Sequence, residues 1–568
     1  MKKLINHPDS VVREMLEGTV LLSAAASLLS DENVVVEADL PAPSQRKVAV
    51  ISGGGSGHEP AHAGYVGSGM LTAAIAGDVF TSPSADAVLA GIRAASGAAG
   101  ALLIVKNYTG DRLNFGLAAE MARAEGYPVE IVVVADDVAL RETVSADRRR
   151  GIAGTILVHK IAGAAAAKGL SLEEVAAIAR EAAASVGSMG VSLGPCTLPS
   201  VGRPNFELGV DEIEIGLGIH GEHGIRKMQL VPADDLVQII LDALLADGKM
   251  KKGDRIALLV NGLGATPPLE LAILARSALH RLSREGVEVA RAWTGTLLSA
   301  LDMPGFSLSV LPVSSNQLEL LDQPTTALAW RGGGVIGGKT LTTNPAPRTA
   351  PNEEEAVSIG ESGHQLRHLF ERAAKALILA EDELARLDGF SGDGDLGASM
   401  RRGAEALLSL PEAAFVTPGN ALIMAGDRIR RAIAGSSGPF YATAFLRAGR
   451  RLSEHPSPSA SDIAAAFSDA VQAIMDLGGA KPGDRTMIDA LEPAARALHD
   501  AIAGGKPPEI ALRDSINAAR KGAEMTSLMH PKLGRASYLG TRAIGSPDAG
   551  AAAVTVWLSA LDHDARPE

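Results

Sequence analysis

Cysteine is almost absent from these 568 residues: Cys196 stands alone, which excludes an intrachain disulfide and makes a reducing, cytoplasmic setting the expectation. Aromatic residues make up only 3 %, so the apolar surface comes from Ala, Leu, Val and Ile rather than rings. With 46 % hydrophobic and 21 % charged residues the balance is that of a globular chain. No run of about 18 apolar residues occurs, so no membrane span is expected. Asn6, His7, Pro8 and Asp9 interrupt the apolar stretch that an export signal would need after Lys2 and Lys3. Positive charge is also short. A formal net charge of -13 argues against a nucleic-acid partner, because neutralising phosphates needs a basic face. An anionic substrate must therefore meet local cations or a metal.

What is present falls into two textures. From about Lys47 to Leu341, short apolar runs alternate with Ala-rich helical stretches, the pattern of βα units on a largely parallel sheet. "KVAVIS", "GALLIVK", "VEIVVVA" and "RIALLV" read as buried strands, and Leu113, Leu117 and Met121 recur at helical spacing between two of them. A second block begins near Ser185. After a proline-rich, acidic stretch the pattern becomes helical throughout, with Leu366, Leu369, Phe370, Ala373 and Leu377 on one stripe. The expected organisation is an α/β half, 1–342, made of two subdomains at about 1–185 and 186–342. A linker over 343–361 and an all-α domain over 362–568 follow.

Four motifs carry chemistry. "ISGGGSGHEPAHAGYVG", from Ile51, reads as a strand end followed by a glycine loop that could cradle an oxyanion or hydroxyl on backbone N–H groups, with His58 beside it. It has neither the G-x-G-x-x-G frame nor a Walker ending. His58 as a plain structural donor is the alternative. "LLIVKNYTGDRLNFG" puts Lys106 at a strand end and Asp111 in the following loop, where ligands of open α/β sheets bind; Asp111 would equally serve as a helix cap. "EIEIGLGIHGEHGI" alternates like a strand and stops at His220 among Gly216, Gly218, Gly221 and Gly224. Glycine at that density serves tight turns or the close approach of a ligand. Two histidines, a lysine and an aspartate at strand ends together have the composition of a catalytic pocket.

The fourth motif is "LDGFSGDGDLGASM", which sets Asp388, Asp393 and Asp395 within eight residues among glycines. Carboxylates so close repel unless a cation neutralises them, and the spacing is not that of an EF-hand. Few protein ligands with open positions suit Mg²⁺ completed by water and substrate phosphates; a solvated acidic loop is the alternative. "GSSGPFYA" from Gly435 and "GGAKPGDRTM" from Gly478 are turn-rich loops that could complete a nucleotide site.

Taken together, these motifs with "TLPSVGRPNFELG" and "GRASYLGTRAIGSPDAG" resemble the dihydroxyacetone kinase family in its single-chain, ATP-dependent form, over nearly the whole chain. The resemblance implies two α/β subdomains followed by a barrel of antiparallel helices that holds ATP through two Mg²⁺ ions. It implies metal ligands at Asp388, Asp393 and Asp395. Nucleotide contacts would fall on Leu396, Gly397, Ala398, Ser399, Ser436, Ser437, Gly478, Met487 and Arg535, and on the turn Asp548, Ala549 and Gly550. Substrate residues would be Gly55, Ser56, Gly57, His58, Lys106 and Asp111. His220 would be the covalent anchor, adding to the ketone carbon of a short ketose as a hemiaminal, with Asp111 as base and His58 as its assistant. A cytoplasmic homodimer is the implied assembly.

The chain departs from the family pattern at Leu396, usually polar or cysteine, at Pro439, commonly small, at Ala549 in "DAG" for "DPG", and at Gly262, where asparagine is usual. Besides a dihydroxyacetone kinase, the alternatives are a kinase for a four-carbon ketose such as erythrulose, a lyase forming cyclic FMN from FAD, and a non-catalytic carbonyl sensor.

Overall fold

The computed structural model describes residues 2–337, 359–433, 435–455 and 457–562. The chain divides into two compact units, Met1–Thr343 and Asn344–Glu568. Most of the stretch expected to be a linker, 343–361, lies outside the described residues.

The first unit holds two six-stranded sheets. The first contains β1 (Ala26–Leu28), β2 (Val34–Glu37), β3 (Ala49–Ser56), β4 (Ala73–Val79), β5 (Ala101–Lys106) and β6 (Val129–Val134), in the order β1-β2-β4-β3-β5-β6. Strands β4, β3, β5 and β6 are parallel, and β2 and β1 add an antiparallel edge. Their apolar runs are continuous because helices cover both faces. Ile51, Leu103 and Val105 pack towards the helices Ala85–Ala95 and Thr109–Ala124, while Val50, Leu102 and Ile104 pack towards Thr155–Ala167 and Leu172–Ser185. The helix Thr155–Ala167 is buried on all sides from Thr155 to Ala166.

Two expectations change here. The helix Thr109–Ala124 turns Phe115, Ala118, Ala119 and Ala122 to the sheet and leaves Leu113 and Leu117 exposed; small residues let the backbone lie close, so the larger leucines face out. The second sheet, β11-β10-β12-β7-β8-β9, is not largely parallel. It comprises β7 (Gly187–Ser192), β8 (Glu212–Ile215), β9 (Arg226–Gln229), β10 (Arg255–Gly262), β11 (Glu288–Gly295) and β12 (Gly305–Pro312). Only β10 and β11 pair in parallel. A buried apolar run reads the same in either direction, so composition cannot set strand polarity.

The second unit is helical throughout its described residues. After Glu361–Leu379 and Glu381–Ser391 come Leu396–Leu408, Pro418–Ala432, Ser437–Ser453, Ala460–Gly478, Ile488–Ala503, Pro508–Met525 and Ala549–Ser559. Each of these packs on the next, and Ala549–Ser559 returns to Glu361–Leu379, so the ring closes. Consecutive neighbours joined by short connections run antiparallel. The ring surrounds an apolar cavity of about 430 Å³, into which Leu366, Leu369, Phe370, Ala373 and Leu377 turn. Among the described residues no helix is long and apolar enough to cross a membrane.

Candidate active site

In the first unit the carboxyl ends of β3, β5 and β8 deliver the expected side chains to one place. The glycine run is not a loop. Gly53, Gly54 and Gly55 continue β3, and they are glycines because neighbours crowd them: a Cβ on Gly53 would lie 2.3 Å from the Ile75 carbonyl oxygen. A Cβ on Gly54, at φ +155°, would lie 3.1 Å from Lys106 Nζ and 3.3 Å from Asp111 Oδ2. The backbone thus gives room to the two charged groups of the next strand-to-helix turn. Ser56 Oγ donates to the Gly77 carbonyl at 2.7 Å, and Gly57 N–H donates to Glu59. Those two expected substrate contacts are already engaged within the fold, and Gly55 is paired in the strand beside Gly77.

His58 and His220 meet. His58 Nδ1 donates to the Ser299 carbonyl at 2.9 Å, which leaves its Nε2 a lone pair. His220 Nδ1 donates to Glu222 Oε1 at 2.8 Å, and the other carboxylate oxygen accepts the backbone N–H of His220 at 3.0 Å. The two Nε2 atoms stand 3.0 Å apart, so one proton lies between them. The His220 tautomer with its hydrogen on Nδ1, held by Glu222, carries its lone pair on Nε2. Burial, then the Lys106 charge and His220, hold His58 well below the usual imidazole range. Burial pushes the Glu222 carboxyl up, but hydrogen bonds from His220 and its charge outweigh that and bring it to about 2. Phe80 and Tyr108 stand edge-on to the His220 ring at 5.1 and 4.6 Å.

The glycines around His220 now have a reason. A Cβ on Gly218 would lie 2.0 Å from Glu222 Oε2, so glycine is what admits the carboxylate that orients the ring. Arg150 holds the same loop: it pairs with Asp137 at 2.6 Å and donates to the Gly216 carbonyl at 2.7 Å.

Asp111 is buried in the first turn of its helix, yet it does not cap it; Tyr108 is the N-cap, and Asp111 Oδ1 has no hydrogen-bond partner. Lys106 is 0 % exposed and its Nζ has none either. Unpartnered charges at this depth are costly unless a ligand supplies the missing bonds. Burial pulls the Lys106 amine down, against the opposing pull of Asp111, Glu222, Asp136 and Glu59. Gly262 lies against Leu271 and Thr296, not against the histidines.

In the second unit, Asp388 stands in the last turn of Glu381–Ser391, and Asp393 and Asp395 follow on the turn. One carboxylate oxygen from each comes within 4.8 Å of the others. Three hard oxygen donors at a glycine turn fit Mg²⁺ with room for water and phosphate. Asp395 is also the N-cap of Leu396–Leu408, whose first turn carries Leu396, Gly397, Ala398 and Ser399. Ser436 is the N-cap of Ser437–Ser453, Met487 of Ile488–Ala503, and Asp548 of Ala549–Ser559, which begins with Ala549 and Gly550.

These are alternate helices of the ring, so their positive N-terminal ends share one rim, as binding a polyphosphate requires. Gly478 lies against the Phe440 ring, next to Pro439, and Gly550 against Met487. The segment Arg535–Ala543 packs on the Asp388 helix. Burial raises Asp548 to about 6.

The sequence reading omitted Glu222, Glu59, Phe80 and Tyr108. Glu222 lay two residues beyond His220, close enough to be found by asking which acid fixes the ring tautomer.

The chain thus joins a unit in which two half- to fully buried imidazoles meet beside Lys106 and Asp111 to a helical ring with a carboxylate trio at a rim of helix N-termini. Residues 17–329 match the Dak1 domain and residues 391–563 the DAK2 domain. A Homo sapiens triokinase/FMN cyclase is 41 % identical over 99 % of this chain and 98 % of its own. A D-erythrulose kinase of Mycolicibacterium smegmatis is 36 % identical over 98 % and 97 %. The crystal structure of the dihydroxyacetone kinase from C. freundii in complex with AMP-PNP and Mg²⁺ is 34 % identical, with a TM-score of 0.64 over 99 % of this chain and 100 % of that one. The chain belongs to the dihydroxyacetone kinase family.

Proposed function

We propose that this kinase phosphorylates dihydroxyacetone with ATP, holding the sugar on His220 as a covalent hemiaminal. The observation that supports it is the relay from Glu222 through His220 to His58 and the Ser299 carbonyl, which fixes both rings and turns His220 Nε2 towards His58 Nε2 at 3.0 Å. His220 Nε2 gives its lone pair to the ketone carbon, the π pair moves to oxygen, and that oxygen takes a proton, with His58 the near carrier. Glu222 balances the charge that develops on the ring. Asp111 accepts the proton of the terminal hydroxyl, and Lys106 sets positive charge beside it.

Magnesium, when bound to Asp388, Asp393 and Asp395, supplies neutralisation of phosphate charge. Positioning and charge carry most of phosphoryl transfer, whereas base catalysis alone is worth about 10²–10⁴-fold. Two Mg²⁺ ions, the nucleotide contacts named above including Arg535, and a cytoplasmic homodimer belong to the same reading. So does the division into a ketose-binding domain, 1–342, a linker, 343–361, and a nucleotide-binding domain, 362–568.

A panel of ketoses with ATP consumption as readout, paired with intact-protein mass, tests this. The His220 adduct should weigh the full ketose more, because addition expels no water. A peptide map without sugar on His220 would refute the covalent step, and a large kcat/KM preference for erythrulose would replace the substrate. A second reading, formation of cyclic FMN from FAD, is favoured by the name of the human relative; FAD with Mn²⁺ in place of Mg²⁺ is its assay.

A further inference from the structure

Behind the glycine strand lies a buried polar layer that the proposed chemistry leaves unused. Ser52 on β3 pairs in register with Ile104 on β5, so two residues further on Gly54 and Lys106 share the same face. The helix Thr155–Ala167 covers that face and brings His159 to it, and His62 follows from the segment after β3. Ser52 Oγ donates its one hydrogen to the Ile104 carbonyl at 2.7 Å. It therefore accepts from the two imidazoles it touches, His159 Nε2 at 3.0 Å and His62 Nδ1 at 3.4 Å. This fixes both tautomers. The remaining nitrogens, His159 Nδ1 and His62 Nε2, are lone pairs, and both are buried without a hydrogen-bond partner. Lys106 Nζ, with three N–H bonds, is buried without an acceptor. Burial, together with the Lys106 charge, holds both rings neutral, His62 well below its usual range and His159 at about 3.

We propose that His62 and His159 are positioning residues: neutral acceptors that hold Lys106 as an ammonium over Gly54, with Ser52 fixing their tautomers. The inference rests on the reading of Lys106 as a ketose-site residue. A carboxylate in their place would cancel the charge it bonded. No direct bond joins the rings to Lys106; an imidazole lone pair bridged to an ammonium N–H by one water satisfies both and leaves the full positive charge available to the sugar oxygens. The other groups around Lys106 are the Asp111, Glu222, Asp136 and Glu59 carboxylates, the His58 ring and the Tyr108 face at 6.0 Å.

The test needs no activity for its first arm. In a double-mutant cycle followed by chemical denaturation, His159→Leu should lower the folding equilibrium constant about tenfold more in the wild-type background than in Lys106→Met. Equal losses in the two backgrounds would overturn the proposal. The second arm reads kcat/KM against pH. His159→Leu should move the basic limb down by about one unit, since an ammonium that loses an acceptor deprotonates sooner, and His159→Gln, whose amide oxygen still accepts, should restore it. Ser52→Ala, which frees the tautomers without enlarging any side chain, should shift the limb the same way. A limb that stays put in well-folded Leu and Ala variants would likewise refute it. Wild-type protein that turns over no ketose, while the cycle still shows coupling, would instead count against the ketose reading alone.

Discussion

Replacing Glu222 by glutamine removes one charge from the relay while keeping its shape. In the native site the carboxylate accepts from His220 Nδ1 at 2.8 Å and from the His220 backbone at 3.0 Å. Its displacement from 4.5 to about 2 corresponds to about 3 kcal/mol of coupling. Because the side chain is 36 % exposed, solvent screening cuts this to roughly 1–2 kcal/mol. In the proposed hemiaminal the same charge balances the imidazolium character of a ring whose Nε2 bonds the ketone carbon, so Glu222→Gln should lower kcat/KM by about five- to thirtyfold. The fraction of chain carrying the sugar, read by intact mass at fixed ketose concentration, should fall in step. Glu222→Ala should lose more, because it also frees the ring to rotate. Adduct occupancy and kcat/KM unchanged in the glutamine variant would show that His220 does not depend on its acid partner, and the relay would have to be abandoned.

Asp388→Ala or Asp395→Ala should abolish turnover more completely than His58→Ala, as measured by coupled ATP assay; equal rates in all three would contradict the weight given to charge neutralisation. Gly54→Ala should fold but lose about 100-fold in kcat, because its Cβ would lie 3.1 Å from Lys106 Nζ and 3.3 Å from Asp111 Oδ2 at a backbone angle foreign to alanine; a wild-type rate in a variant with an unchanged circular dichroism spectrum speaks against that crowding. Lys160→Met should stabilise the first unit. Burial lowers this lysine to about 8, and its ammonium bonds only the Leu320 carbonyl. At neutral pH it is charged both folded and unfolded, so its burial costs about 3 kcal/mol, offset by about 1 kcal/mol for the carbonyl left bare. As pH rises through 8 towards the unfolded value, the native lysine sheds its proton first, wild type gains stability and the variant's advantage should vanish; a pH-independent difference in denaturation midpoint would refute this.

Lys106 was legible because it ends "GALLIVK", a run too apolar to lie anywhere but inside a sheet, whereas the strand before His220 showed itself by the alternation of "EIEI". The aspartate trio was legible from charge repulsion alone. The glycine run of β3 was not: glycine marks both a turn and a strand squeezed by its neighbours, and only the approach of Ile75 and Lys106 decides between them. Asp111 looked like a cap because the sequence shows its place in the helix but not that its oxygen turns away from the N–H groups. Leu113 and Leu117 keep helical spacing on the solvent face, so periodicity found the helix and misplaced its buried side. His62 and His159 are 97 residues apart in the sequence, and nothing short of the fold brings them to one serine.

The His58 ring is threaded between the two sheets, its imidazole rooted beyond β3 and its tautomer dictated by the carbonyl of Ser299 from the connection before β12. Neither half of the first unit owns a working pocket. A recombinant inheriting one sheet from a relative would receive a histidine whose proton sits on whichever nitrogen the foreign half happens to allow, so ancestry at this site is transmitted as a docked pair or not at all.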